Sequence, residues 1–383
     1  MKFVFLLFFL ASLFVSCSSE DSSNSLAGGN FDEPLVCVFY GYNGLGDLTY
    51  NDSINSGISK AEKNFDLIQL AYSPVDRDEA RKSMNYIFTE IKEKSLTKKH
   101  VLCIFIGPEY INLLGENEIF MAGLPVTAFM FDTPESDIPE SLKDKIHTVF
   151  IPYYGACYAA GKLLRMEKEE LNTQPNPLIV LPDKKNELLF DYARAFITGL
   201  GEQFPYSFDD VDWDALLTGN NSGNYTILSL NNYLIEKSGF DKADTLYMYA
   251  RLVDINGDVK YFFPLCGGSS LGLFHYVQDC PRGPSFSIIG VDSDMSSYAP
   301  LYVPFSVVKD SGRVAYELIE QWLKSAENIE ESLPKSQLKT FRQGYTYIAD
   351  SPYSLDFFFT NEIIESVYDE AVEYEEGILG GAQ

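Results

Sequence analysis

GYNGLGDLTYNDSINSGISKAEK, residues 41–63, follows the apolar run LVCVFY at 35–40, and this junction decides how the chain is read. The run has the length and composition of a strand, a Gly-rich turn follows it, and Ile54, Ile58, Ala61 and Phe65 then recur at the spacing of one helical face. In an open parallel sheet, a loop between strand and helix lies at the carboxyl end of the strand, where ligands bind. Asp47, Tyr50, Asn51 and Asp52 crowd this one. Two carboxylates, an amide and an aromatic ring suit a neutral, hydroxyl-bearing ligand, offering acceptors for hydroxyls and a flat face for a ring. The same residues also suit a plainer role, in which Asn51 or Asp52 caps the helix and the glycines turn the chain.

The pattern repeats outward from this stretch. DLIQLAY at 66–72 reads as a strand, and Asp76 stands three residues before Glu79 at a capping-box spacing. Ala80, Met84, Ile87 and Ile91 form a second helical stripe, and HVLCIFI (100–106) and VTAFMF (126–131) are further strands. Strands and helices in alternation predict a parallel sheet wrapped by helices. From about 147 the pattern restarts with HTVFI, a helix from Tyr153, PLIVLP, a helix from about Glu187 to Gln203, and YTILSL at 225–230. Residues 204–224 read as an irregular excursion. TLYMYA (245–250) and VKYFFPLC (259–266) read as strands joined by a hairpin turn at Asn256 and Gly257. FSIIGVD (286–292), LYVPFSVV (301–308) and a helix from about Lys309 to Lys324 follow, then an acidic helical tail at 356–383.

Before all this comes MKFVFLLFFLASLFVSC: one lysine, an apolar run too short to span a membrane, then Ser16 and Cys17. Residues 1–16 read as an export signal, and LFVSC resembles the lipobox of bacterial lipoproteins, which implies lipidation at Cys17. Residues 17–33, rich in Ser, Asn and Gly, read as a flexible tether. The expected place is therefore the bacterial cell envelope, with the chain exported and held to a membrane by its lipid. Without residues 1–16 the chain has 28 basic against 55 acidic side chains. Such a balance repels nucleic acid and anionic lipid, so no nucleic-acid partner is expected. At 46% hydrophobic and 14% aromatic residues the composition is that of a folded protein, long enough for two cores. The cysteines show no CxxC spacing, so neither a metal nor a redox motif is read, and no cofactor is expected.

Two α/β units behind an export signal predict a hinged, ligand-clasping architecture. Four segments then carry a family resemblance. GDLTYNDSINSGISKAEK, YYGACYAAGKLL, FFPLCGGSSLGLF, and IIGVDSDMSSYAP with SVVKDSGRVAYELI, in that order, resemble the basic membrane protein family of purine-nucleoside-binding lipoproteins of ABC importers. The resemblance implies a periplasmic binding protein type I-like fold: two doubly wound parallel-sheet lobes joined by a hinge, the ligand between them. The lobes would comprise 34–149 plus about 307–326, and 150–306 plus about 335–355. It implies that Asp47 and Asn51 bind sugar hydroxyls, that Tyr50 stacks on the base, and that Asp132 accepts a further hydroxyl. Gly268 would admit the ligand close to the backbone, and Asp292 and Lys309 would complete the polar contacts. Phe190 is the expected stacking partner from the second lobe, although a buried core position suits it equally. Asp132 and Asp292 also suit strand-end caps, and Lys309 a solvated helix start. Leu48, Ser269, Ser270 and Met295 depart from the family's usual Lys, Thr, Gly and Gln. The implied partners are a small nucleoside-like ligand and an ABC permease.

A surface lipoprotein of the same fold, acting as a sensor or interaction module, is the alternative. Gly268, Ser269, Ser270, Leu271 and Gly272 spell GxSxG, the nucleophile elbow of serine hydrolases. The only histidine after Ser270 is His275, five residues on and in the same expected helix. A base so placed cannot serve the serine while a third residue orients it, so no enzymatic activity is expected.

Overall fold

A computed structural model describes residues 33–42, 44–97, 100–183, 186–204, 225–231, 242–257, 259–327, 333–354 and 358–381. The export signal, Cys17, nearly all of the tether and nearly all of the 204–224 excursion lie outside the described residues.

The strands are β1 (Leu35–Phe39), β2 (Ile68–Tyr72), β3 (Val101–Ile106), β4 (Thr127–Phe131), β5 (His147–Phe150), β6 (Pro177–Asp183), β7 (Thr226–Asn231), β8 (Tyr261–Pro264), β9 (Ser287–Ile288), β10 (Gly290–Asp292), β11 (Phe305–Lys309), β12 (Ser336–Leu338) and β13 (Thr346–Asp350). The helices used below are α1 (Tyr50–Phe65), α2 (Arg77–Glu93), α3 (Glu109–Glu116), α4 (Tyr154–Leu171), α5 (Glu187–Leu200), α6 (Ala243–Asn256), α7 (Leu271–Asp279), α8 (Ser311–Glu327) and α9 (Tyr368–Gly381).

The first sheet has the order β12-β5-β4-β3-β1-β2 and is parallel throughout. Successive side chains of a strand point to opposite faces, and β1 shows what that achieves here. Leu35, Cys37 and Phe39 pack into a core with α2 and α3, while Val36 and Val38 pack with α1 and α8 on the other face. Covered on both faces, the strand reads as one apolar run. The second lobe is built likewise: Leu178 and Val180 face α6 and α7, whereas Ile179 and Leu181 face α4, α5 and the C-terminal residues. Its strands fall into two sheets, β7-β6-β8-β9 and β10-β11-β13, with β13 antiparallel to β11. The α/β architecture with parallel sheets is as expected.

Three details correct the sequence reading, and a fourth adds to it. Residues 243–256 form α6 rather than a strand, and Gly257 ends that helix at φ 72 instead of turning a hairpin. Leu246 and Ala250 sit four apart on its buried side, a helical spacing that a short aromatic-rich run conceals. The run 286–292 breaks at Ile289 into β9 and β10, one strand for each sheet of the second lobe. Ser336–Leu338, assigned by sequence to the second lobe with the rest of 335–355, pairs with β5 in the first sheet. The C-terminal region is no loose appendage: Val367, Ala371 and Val372 are buried in the second-lobe core. The Glu375 carboxylate accepts from the backbone N–H groups of Gly155 and Phe341 at 2.9 and 2.8 Å.

The chain passes between the lobes after β5, after β11 and between β12 and β13. The second crossing is fixed by close helix packing, because α8 starts against α1 with Gly57 facing Gly312. A Cβ at Gly57 would lie 2.0 Å from the Gly312 carbonyl oxygen, so nothing larger than glycine fits. Ser53 Oγ accepts from Gly312 N at 3.2 Å, and Ser311 Oγ donates to the Tyr50 carbonyl at 3.4 Å. Lys309, the last residue of β11, is thereby held against the first lobe.

Candidate ligand-binding site

The chemistry-bearing residues gather at the carboxyl ends of the strands, where an open parallel sheet leaves its crevice. Asp132 follows β4, Asp292 ends β10 and Lys309 ends β11. Lys309 is buried, and its Nζ donates to Asp132 Oδ2 at 2.6 Å, with side-chain exposures of 5% and 12%. Three tyrosine rings surround the ammonium: Tyr153 at 4.9 Å, Tyr192 at 5.3 Å and Tyr50 at 5.8 Å from centroid to Nζ. Cation–π attraction and the carboxylate together offset the desolvation of Lys309. Tyr50 lies close enough to Asp132 for that carboxylate's charge to act on its hydroxyl, and Asp132 Oδ1 accepts from Ile151 N at 3.0 Å. Each oxygen of Asp132 is thus bound once by the protein.

Asp47 is likewise occupied. It is 6% exposed, and its carboxylate accepts from Thr49 N (2.9 Å), Asn51 N (3.0 Å), Asn51 Nδ2 (2.8 Å) and Asp52 N (3.3 Å). Four donors use the four lone-pair positions of a carboxylate, so in this conformation Asp47 caps the start of α1. Burial pushes its carboxyl up from the ordinary value, against the pull of the Asn51, Thr49 and Asp52 donors. Asp52 accepts from Gly46 N and Leu48 N, both at 2.8 Å, and Leu48 is held at φ 56. The capping and ligand readings of this loop thus divide between residues: the two aspartates build the loop, and Asn51 Oδ1 remains buried and without a partner. Thr49 Oγ1, next to it, is in the same condition.

From the second lobe, Asp292 sits at φ 66, and its backbone N–H donates to the Tyr153 hydroxyl at 3.0 Å, while that hydroxyl donates to the Val307 carbonyl. Burial pushes the Asp292 carboxyl up to about 7; Lys309 opposes this, while Asp47 and Asp132 add to it. Ser293 Oγ donates to the Thr49 carbonyl at 3.3 Å, joining the two lobes across the rim. Gly268 lies in the single turn Gly267–Ser270 after β8, two residues from Cys266, whose thiol feels the Asp292 charge.

Phe190 is corrected: it is 1% exposed and packs on Phe204 in the second-lobe core. The side chain of α5 that approaches the Lys309–Asp132 pair is Tyr192, which sequence reading missed along with Tyr153. Two residues apart, Phe190 and Tyr192 point to nearly opposite sides of α5, both of which are buried, and only the packing shows which wall each meets. The GxSxG motif forms no elbow. Ser270 is buried at the start of α7, His275 is exposed, and Ser269 Oγ accepts from Lys242 N at 2.7 Å. Among the described residues, no group of three or more His, Cys, Asp or Glu side chains is placed to hold a metal ion. Among the same residues no helix is long and apolar enough to cross a membrane. An open groove of about 1200 Å³, lined in part by Leu171, Lys260, Phe286 and Leu301, lies at the amino-terminal edge of the second lobe's strands and shares no residue with this site.

Solved structures with this arrangement of elements are numerous. A solute-binding protein of an ABC transporter system from Aeropyrum pernix K1 superposes with a TM-score of 0.62 at 13% identity, over 89% of this chain and 86% of that one. This is the type I periplasmic binding protein fold. An ABC transporter periplasmic solute-binding protein from Actinobacillus succinogenes 130z, solved with D-allose, shares the fold with a TM-score of 0.55 at 11% identity, covering 83% and 98% of the two chains. A transcriptional activator of the comK gene from Bacillus halodurans shares it too, with a TM-score of 0.57 at 12% identity, covering 89% and 97%. In sequence, the chain is similar to Basic membrane protein C of Borreliella burgdorferi, 28% identical over 143 residues. That match spans 37% of this chain and about a third (35%) of the relative's length. No protein-family model matches. In this chain the polar residues converge where strands of both lobes end, the position expected for a ligand in open parallel sheets.

Proposed function

We propose that this chain is a lipid-anchored solute-binding protein that captures a neutral, hydroxyl-bearing solute between its lobes and delivers it to an ABC permease. A purine nucleoside is the leading candidate. The observation that carries this reading is the enclosed group of Tyr50, Asp132, Lys309 and Asp292 between the lobes, bordered by buried polar atoms without partners. Lys309 is already neutralised by Asp132, so a phosphate or carboxylate ligand would find no free cation in this group. A ring with hydroxyls meets the Tyr50 wall and the Asn51 and Asp292 acceptors. The ABC transporter solute-binding proteins of the same fold favour this transport role, and Cys17 supplies the anchor. The lobes close by rotation about the three crossings, and no chemistry is performed on the solute.

Calorimetric titration of protein beginning after Cys17, with inosine, guanosine and adenosine, tests the reading. Free ribose and cytidine serve as controls. Micromolar binding of the purine nucleosides, about −8 kcal/mol or better, is the expected result. Folded, ligand-free protein that binds none of the five overturns the nucleoside assignment. It would favour a sensing role on the same fold, a use outside transport for which the Bacillus halodurans activator is a precedent.

A further inference from the structure

Among the described residues, the Tyr192 hydroxyl is a buried polar group on the second-lobe side of the site that is left unsatisfied. The residue is 1% exposed, its hydroxyl has no hydrogen-bond partner among the described residues, and its ring stands 5.3 Å from Lys309 Nζ. It is packed edge-on against Tyr153 and Tyr154, at centroid separations of 5.6 and 5.1 Å, which fix its direction. Its electrostatic neighbour across the crevice is Asp132 of the first lobe. A buried hydroxyl without a partner is costly, and such groups persist where something else satisfies them. On the opposite wall Asn51 Oδ1 and Thr49 Oγ1 are in the same state, while Asp47 is saturated by four protein donors and Asp132 is paired with Lys309 and bound by Ile151 N.

We propose that Tyr192 determines specificity by hydrogen-bonding a polar atom of the bound solute from the second lobe, with Asn51 Oδ1 accepting from the solute's opposite end. The inference rests on the solute-binding reading above and narrows it. The second-lobe wall is polar, so the cargo presents an oxygen or nitrogen there instead of only an apolar ring face. At the Asn51 end it presents a hydroxyl or amino donor. The two groups belong to different lobes, so a solute that reaches both is bound only when the lobes are together, and recognition is coupled to closure.

The test compares wild type with Tyr192→Phe by calorimetry against inosine, D-ribose, D-allose and inosine 5′-monophosphate, with thermal melts of both proteins without solute. Removing a hydroxyl that has no partner in the free protein leaves the melting temperature unchanged or raised. Affinity for the tightest neutral probe falls at least tenfold. That split between melting and binding is one that a purely structural tyrosine does not produce. If inosine is silent while D-ribose or D-allose binds and Tyr192→Phe weakens it, the nucleoside assignment falls and this inference stands. If inosine binds wild type and Tyr192→Phe equally, the solute-binding reading stands and this inference falls. Tighter binding of inosine 5′-monophosphate than of inosine, or no binding of any neutral probe to folded wild type, also overturns it.

Discussion

Lys309 Nζ donates to Asp132 Oδ2 at 2.6 Å, so the last residue of a second-lobe strand is paired with the residue that follows a first-lobe strand. Three tyrosine rings shield the pair, and Ile151 N binds the carboxylate's other oxygen. The pair fixes the two lobes against each other at the base of the crevice.

Breaking it from one side leaves a buried charge with no counter-ion. Lys309→Met alone is expected to cost about 3–5 kcal/mol of stability, and the double variant Lys309→Met with Asp132→Leu to recover most of that loss. Urea denaturation of the three proteins measures it, and a double variant no better than the single one would refute the account.

Asp47 holds the first turn of α1 through four donors, so Asp47→Ala should remove a cap worth about 1–2 kcal/mol. Solute affinity should fall with it, because Asn51 loses the partner that orients its amide. Loss of binding at unchanged stability would instead mean that Asp47 contacts the solute directly.

Gly57 and Gly312 meet where no side chain fits. Gly57→Ala is expected to destabilise by about 1–3 kcal/mol, since backbone must move to admit the methyl. The same substitution at Gly115, where a Cβ meets nothing within 4 Å, serves as the tolerated control in a paired thermal melt.

Glu375 links stability to pH with a definite sign. Burial is the main cause that raises its carboxyl to about 7, Glu376 adds to this, and the Gly155 and Phe341 N–H groups and Lys309 oppose it. Other titratable side chains facing it are Tyr154, Cys157 and Tyr192. The folded state holds this proton at pH values where the unfolded chain has released it, so stability falls as pH rises from the ordinary glutamate range through about 7. The full loss, complete above that range, is on the order of 3 kcal/mol. Wild type should therefore lose stability relative to Glu375→Gln between pH 5 and 8, and a difference that stays constant across that range would contradict the assignment.

The alternation of apolar runs and helical stripes determined the α/β architecture by itself, because strands covered on both faces and helices covered on one obey local periodicities that survive without neighbours. The strand-end positions of Asp132 and Asp292 were legible for the same reason, since side chains just past parallel strands share one edge, whereas Lys309, read as the start of a helix, ends β11 and is buried. Local pattern failed where packing between distant segments decides. Residues 243–256 are a helix because α7 and the second-lobe sheet cover one side of it, and 336–338 joins the first sheet because β5 offers an open edge. Whether Asp47 faces a ligand or its own helix, and whether Phe190 or Tyr192 meets the crevice, depends on where each side chain's hydrogen bonds and neighbours lie. The site's contacts join residues far apart in the chain, as from Asp132 to Lys309, 177 positions apart, and only the tertiary structure brings them together.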